Sequence, residues 1–157
     1  MHPNSKKGNT PGLDFLPADQ ALVFQTPQGM TRIWTPAPTV LVTQVVGSLT
    51  GEAAVAMSNE LRRVVSADGR HVGFHDWEEM TNYETASRVE LTSQVREVLA
   101  VTDAVHFLVS SKVVAFGIQA ANIILKIIQV HPTRASFEST LRDMIRKRAH
   151  SIAPPRT

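Results

Sequence analysis

His71, His75 and His106, with Asp76 and Glu79 close by in the chain, are the side chains best suited to hold a metal or carry a proton. His71 and His75 fall on one face of a strand predicted by the alternation of residues 71–77. At ~3.3 Å per residue they sit roughly 13 Å apart along that strand, too far to share one ion. Satisfied or exposed histidines are therefore expected, and no metal site. Glu78 and Glu79 are chain neighbours whose side chains point apart, so they make no paired-carboxylate centre. No Gly-x-Ser-x-Gly elbow raises a serine nucleophile, and the sequence has no cysteine. That removes thiolate nucleophiles, thiolate metal sites and disulfides together. No catalytic residue and no cofactor are assigned. The expectation is a protein that acts by binding and is not an enzyme.

Two segments carry the candidate binding chemistry. The stretch from Trp77 to Tyr83 joins the carboxyl end of a predicted strand to a helix, the edge at which open α/β sheets usually meet ligands and partners. Trp77, Met80 and Tyr83 offer large, rigid contact area of the kind that anchors interfaces, and Glu84, Thr85 and Ser87 follow at the helix start. These six residues form the expected partner-binding edge. Trp77 and Met80 would serve equally well as caps on the end of the sheet, leaving only Tyr83 outside. Ser110, Ser111 and Lys112 likewise follow a strand and open a helix, so free N–H groups and a lysine could hold an anion there. The glycines of a P-loop are missing, and a serine N-cap beside a solvated lysine accounts for the same residues.

The elements that position these residues are read from hydrophobic period. Ala21–Gln25, Met30–Thr35 and Val40–Val46 are rich in β-branched residues and read as a meander of strands, with Pro36 and Pro38 at an edge or turn. Gly51–Val65 has helical spacing, with Thr50 as N-cap and Asp68-Gly69 as its stop. His71–Trp77 alternates as a strand, Glu84–Leu99 is a helix, Val105–Val109 a strand and Lys112–Leu125 a helix. Ile127–Val130 is a short strand, and Thr133 caps a last helix, Arg134–Ala149. The order β-β-β-α-β-α-β-α-β-α predicts an α/β fold with a mixed sheet of five to six strands and four helices. Residues 1–19, with Pro3, Pro11, Pro17, Gly8 and Gly12, read as a disordered arm in which Leu13, Phe15 and Leu16 could dock. Residues 20–150 make the domain, and 151–157 a flexible tail.

A hydrophobic fraction of 43% and a charged fraction of 19% suit a globular protein. Net charge runs from −5 over Gly51–Asp103 to +6 over Ala104–Thr157, which predicts a dipolar surface. Arg142, Arg146, Lys147 and Arg148 make a basic helix end with few aromatics beside it, read as solvated rather than as a nucleic-acid site. The start lacks the apolar stretch of a secretory signal, and no run approaches the ~20 apolar residues of a bilayer span. A cytoplasmic protein is expected. The helix Lys112–Leu125 carries Val113, Val114, Phe116, Ile118, Ile123, Ile124 and Leu125, apolar nearly all round. It must be buried as core, as the wall of a lipophilic pocket or as a dimer interface.

This element order resembles the STAS-like domains, the anti-sigma-factor antagonist fold and its CRAL-TRIO-like bacterial relatives. So does the wording of Phe74-His-Asp-Trp-Glu-Glu-Met-Thr-Asn-Tyr-Glu-Thr-Ala-Ser87 and His106-Phe-Leu-Val-Ser-Ser-Lys-Val-Val-Ala-Phe-Gly117. The likeness spans roughly Thr39–Ile145. The family pattern is a strand ending in Asp-x-Ser and, after a loop, Asp-Ser-x-Gly at a helix start. Asp76 matches the strand-end Asp, but Glu78 stands where the first Ser would be, and Ala86 stands at the phosphoacceptor position. The resemblance implies phosphorylation at Thr85 or Ser87, with Glu84 opposing the added charge.

The leading expectation is a non-enzymatic regulatory module of a bacterial cytoplasm that presents the Trp77–Ser87 edge to a protein partner. The alternatives are a binder of a small lipophilic ligand between the third helix and the sheet, and a self-assembling scaffold. A homo-oligomer is compatible with each.

Overall fold

The computed structural model describes residues 12–151, apart from the side chain of Ile124. The strands are β1 (Leu22–Thr26), β2 (Gly29–Ala37), β3 (Val40–Leu49), β4 (His71–Trp77), β5 (Met80–Tyr83), β6 (Thr102–Val109) and β7 (Ile128–Val130). The helices are α1 (Gly51–Asp68) before β4, α2 (Thr85–Glu97) before β6, α3 (Lys112–Leu125) before β7, and α4 (Arg134–His150) at the end. All seven strands form one sheet in the order β1-β2-β3-β4-β6-β7, with β5 beside β3. The β1–β2 and β2–β3 pairs are antiparallel, and β3–β4, β4–β6 and β6–β7 are parallel. The fold is α/β with a mixed sheet, as the sequence predicts.

One strand escapes the sequence reading. Residues 80–83, expected as part of a loop, form β5 and pair in parallel with Gly47–Leu49 of β3. The reason is length. The β3–β4 ladder runs out at Gln44 and Asp76, leaving the last residues of β3 open. After a turn at Glu78-Glu79 the chain takes up that free edge. Thr81 and Asn82, both exposed, hid the strand because only Met80 is buried in it.

Local chemistry sets the other boundaries. Pro36 lies inside β2, at a register shift between Trp34 and Ala37 where the ladder needs no donor. The Thr50 hydroxyl accepts from the Ala53 N–H to start α1, and Gly69, at φ 74°, ends it. Ser111 and Thr133 cap α3 and α4 in the same way.

Each sheet face buries its own core. On one face Ile33, Leu41, Val45, Trp77, Val105 and Phe107 pack under α1, α2 and α3, with Met57, Leu61, Val114 and Ile118 from the helices. On the other, Trp34, Val42, Val72, Phe74 and Leu108 pack under α4 through Phe137 and Leu141. Period-2 alternation in strands buried on both sides produces this split.

The arm expected to be disordered over residues 1–19 is packed from Leu13 onward. Leu13 and Leu16 are buried in the α4-side core. The Leu13 N–H donates to Glu138 at 3.0 Å, and Trp34 Nε1 donates to the Pro17 carbonyl at 3.0 Å. Gly12, at φ 67°, lies so close over the Arg134 guanidinium that a methyl group there would collide with it. Three apolar side chains and two long-range hydrogen bonds outweigh the prolines. Residues 1–11 and 152–157 of the expected arm and tail lie outside the described residues.

The expected charge asymmetry is partly cancelled in space, because α4 lies against the acidic middle of the chain. Arg134 forks onto both Asp76 oxygens at 2.9 Å and reaches Glu78 at 3.1 Å, and Arg148 meets Asp103 at 2.7 Å. Asp76 is 2% exposed and also accepts from Gln44 Nε2 at 3.2 Å. Removing one partner of a buried ion pair strands the other. Arg134→Leu is expected to cost about 3 kcal/mol in urea unfolding, most of it recovered in the Asp76→Leu/Arg134→Leu double variant. A cost below about 1 kcal/mol for the single variant would mean that the pair does not hold α4 on the sheet.

Candidate functional site

A cavity of about 100 Å³ lies between the sheet and helices α1, α2 and α3. Its walls are largely aliphatic and aromatic: Leu41, Met57, Leu61, Trp77, Met80, Val105, Phe107, Val114 and Ile118 are among them. The cavity exists because α2 is a poor lid. Its two fully buried side chains are Ser87 and Gln94, while Leu91 and Val95 are only half-buried. Polar or charged residues also line it: Ser58, His71, His75, Tyr83, Arg88 and Thr92.

The two histidines come from alternate positions of β4, on the face that looks toward α1–α3. The strand spacing puts them roughly 13 Å apart along the backbone, but their side chains converge. Both rings lean over Gly73, where a methyl group would lie 3.1 Å from Nε2 of each. Their Nε2 atoms are thus no farther apart than twice that distance. His71 Nδ1 lies 3.4 Å from Thr102 Oγ1, and His75 Nδ1 lies 2.7 Å from Thr43 Oγ1. His75 is also wedged between the rings of Trp77 and Phe107, at centroid distances of 5.2 and 4.8 Å. The pattern His71-x-Gly73-x-His75 was the available signal, since a glycine between two same-face rings leaves them room to converge.

Desolvation keeps these rings neutral. It pulls His71 down to about 4, against a smaller opposing effect of Asp103. It pulls His75 down to about 3, with His71 and His106 adding to the effect. On the opposite face, His106 stacks on Phe74 at 4.4 Å and lies 2.9 Å from His131, and burial followed by His131 lowers it to about 4. Among the described residues no group of three or more His, Asp or Glu side chains is placed to hold a metal ion.

The expected partner edge divides in two. Trp77 and Met80 point inward, into the core and the cavity wall. Trp77 Nε1 donates to Thr43 at 3.0 Å. Tyr83 is half-buried under α3, its hydroxyl against Gly117. Ser87 is fully buried and its hydroxyl donates to the Leu49 carbonyl at 3.1 Å, so it offers no free oxygen. Glu84 and Thr85 are exposed at the start of α2, and the Glu84 carboxylate accepts from the Gly51 N–H at 3.1 Å. The expected anion site is also taken up locally. Ser110 donates to the Glu78 carbonyl at 2.6 Å, Ser111 caps α3, and Lys112 is exposed.

The sequence reading also left the two faces of α3 undivided. Val114, Ile118 and Leu125 face the core, while Val113, Phe116 and Ile123 are 58%, 74% and 77% exposed, with Ala120 exposed between them. Positions 113, 116, 120 and 123 repeat at helical spacing and make one outward apolar stripe. No helix among the described residues is long and apolar enough to cross a membrane.

Helices cover both faces of a mixed sheet entered through an antiparallel hairpin, and this fold is SpoIIAA-like, of the STAS-like kind. Two solved structures share it. One is an uncharacterized protein of the DUF3478 family with a SpoIIAA-like fold from Shewanella loihica. It is 13% identical, with a TM-score of 0.52 over 77% of this chain and 91% of that one. The other is the anti-sigma factor antagonist SpoIIAA in its unphosphorylated form, 11% identical, with a TM-score of 0.52 over 80% of this chain and 97% of that one. No protein-family model matches the sequence, and no curated protein matches it. At these identities the likeness is one of fold.

The low histidine values carry a sign for stability. Each lies below the ~6.5 of an unfolded histidine, so the unfolded chain binds more protons between about pH 6 and pH 4. Stability is full above pH 6.5 and falls as pH drops, by up to ~1.4 kcal/mol per pH unit for each ring. Thermal unfolding is expected to show the melting temperature dropping from pH 7 to pH 4.5, less steeply in His71→Phe. Identical slopes for the two proteins would show that His71 titrates freely.

Proposed function

We propose that this domain is a non-enzymatic regulatory module of a bacterial cytoplasm that binds a protein partner through the outward stripe of α3 and the adjoining start of α2. The observation that carries this reading is the exposure of Val113, Phe116 and Ile123 on one helix face. Exposed apolar surface of this kind marks sites of association, and an apolar helix stripe suits a groove on a partner. The fold likeness to an anti-sigma factor antagonist supports a regulatory role by analogy. The exposed Glu84 and Thr85 give the partner face a polar margin. Of the two candidate phosphoacceptors, Thr85 is the accessible one, at a helix N-terminus that favours phosphate.

The test is affinity capture from the producing organism with wild type and with Phe116→Ser/Ile123→Ser, alongside sedimentation of each purified protein. Wild type is expected to retain a specific partner that the double variant loses at about tenfold or more, with the melting temperature nearly unchanged. Equal capture by both proteins would move the interface elsewhere. A dimer of wild type that the same substitutions break would replace the foreign partner with a second copy.

The cavity favours a second reading, a binder of a small lipophilic ligand. Its largely apolar walls and its place between sheet and helices are features of ligand sites, and Ser58 and His71, each with an unpartnered buried polar atom, are among its lining residues.

A further inference from the structure

The hydrogen-bonding sense of the two cavity histidines follows from the network behind them. The Thr102 hydroxyl donates to the Val98 carbonyl at 2.9 Å, so its oxygen is left to accept from His71 Nδ1. That assigns the His71 proton to Nδ1 and leaves Nε2 as a bare acceptor. His71 is 1% exposed, and its Nε2 has no hydrogen-bond partner. The opposite holds at His75. Thr43 Oγ1 accepts from Trp77 Nε1 at 3.0 Å, and His75 Nδ1 at 2.7 Å is the acceptor to which we assign its own proton. His75 then carries its proton on Nε2. One acceptor and one donor therefore stand side by side over Gly73, in a cavity whose walls are largely apolar. Ser58, fully buried in α1, adds a second unpartnered polar atom, its hydroxyl oxygen, to the same lining.

We infer that the cavity takes a small, uncharged, monohydroxylated apolar molecule whose hydroxyl donates to His71 Nε2 and accepts from His75 Nε2–H. This rests on the ligand-binding reading above and names the chemistry of the ligand. A hydroxyl matches the pair because it gives one proton and takes another; a plain hydrocarbon leaves His71 Nε2 unsatisfied, at the full cost of a buried polar atom. An ionised carboxylate has no proton to give His71 Nε2, and its charge would have to be met by Arg88 at the cavity lining. The size is that of a small fragment: the cavity measures about 100 Å³, less than the roughly 150 Å³ of an enclosed apolar cavity that holds benzene. It is partly open to solvent, so a ring can extend beyond it. Gly73 is part of the site, because a methyl group there would crowd both Nε2 atoms at 3.1 Å.

The experiment is an NMR titration at pH 7 of the full chain with phenol, benzene and benzoate, following backbone amides and imidazole nitrogens, in wild type and in His71→Phe. The expected result is that phenol binds wild type about tenfold more tightly than benzene and shifts the His71 Nε2 resonance. In His71→Phe that preference disappears while benzene affinity is unchanged. Should the variant fail to fold, the Nε2 shift with phenol and its absence with benzene decide the matter in wild type alone. Phenol binding no better than benzene, with Nε2 unmoved, overturns the hydroxyl assignment but leaves a lipophilic ligand site. Benzoate binding best, and losing that advantage in Arg88→Gln, replaces the neutral head with an anionic one held by Arg88. If none of the three binds, the ligand reading itself falls with the inference.

Discussion

The carboxylate of Asp76 is buried near the carboxyl end of the central strand β4, and a charge in that position must be matched by another. Arg134 provides the match from the first turn of α4, with two parallel hydrogen bonds of 2.9 Å. This pair decides where α4 lies. Once its first turn is held over the end of β4, Phe137 and Leu141 fall on Phe74 and the neighbouring strands. The N-terminal segment then closes over the same region, with Gly12 against the guanidinium and Leu13 bonded to Glu138. Gln44 and Arg32 extend the polar line across β3 and β2. The α4 side of the molecule is thus organised around one buried charge and its satisfied partners, an arrangement that favours a single packing.

The other face of the same strand is organised differently. There β4 presents His71, Gly73, His75 and Trp77, and three helices rather than one must cover them. Helix α1 packs tightly through Ala53, Ala54, Met57 and Leu61. Helix α2 brings Ser87 and Gln94 as its fully buried side chains and leaves a gap. Packing density in protein interiors is normally high, so a gap lined by neutral imidazoles stands out against the tightly filled α4 side. The neutrality follows from burial: with the rings largely desolvated, neither can carry a proton cheaply.

Helix α3 links the cavity to the outside. Its inner residues wall the cavity, and its outer stripe is bare. Tyr83 runs beneath it, with Gly117 making room for the hydroxyl. The exposed stripe and the cavity therefore share one helix.

The strands and helices were largely legible in the sequence, because their cues are local: β-branched runs for β2 and β3, caps at Thr50 and Thr133, and a 3.6-residue period in α1 and α4. The α/β class and the mixed sheet followed from the order of those elements. A sequence pattern could also show that α3 is apolar nearly all round. What it could not show was which side meets the core, since that depends on the angle at which the helix lands. Strand β5 was hidden because its pairing depends on β3 outrunning β4. The packing of Leu13 and Leu16, the Asp76–Arg134 pair and the meeting of His71 with His75 over Gly73 were likewise settled only by tertiary structure. Each joins groups whose distance is set by side-chain direction or by segments far apart in the chain, and local propensity carries no information about either.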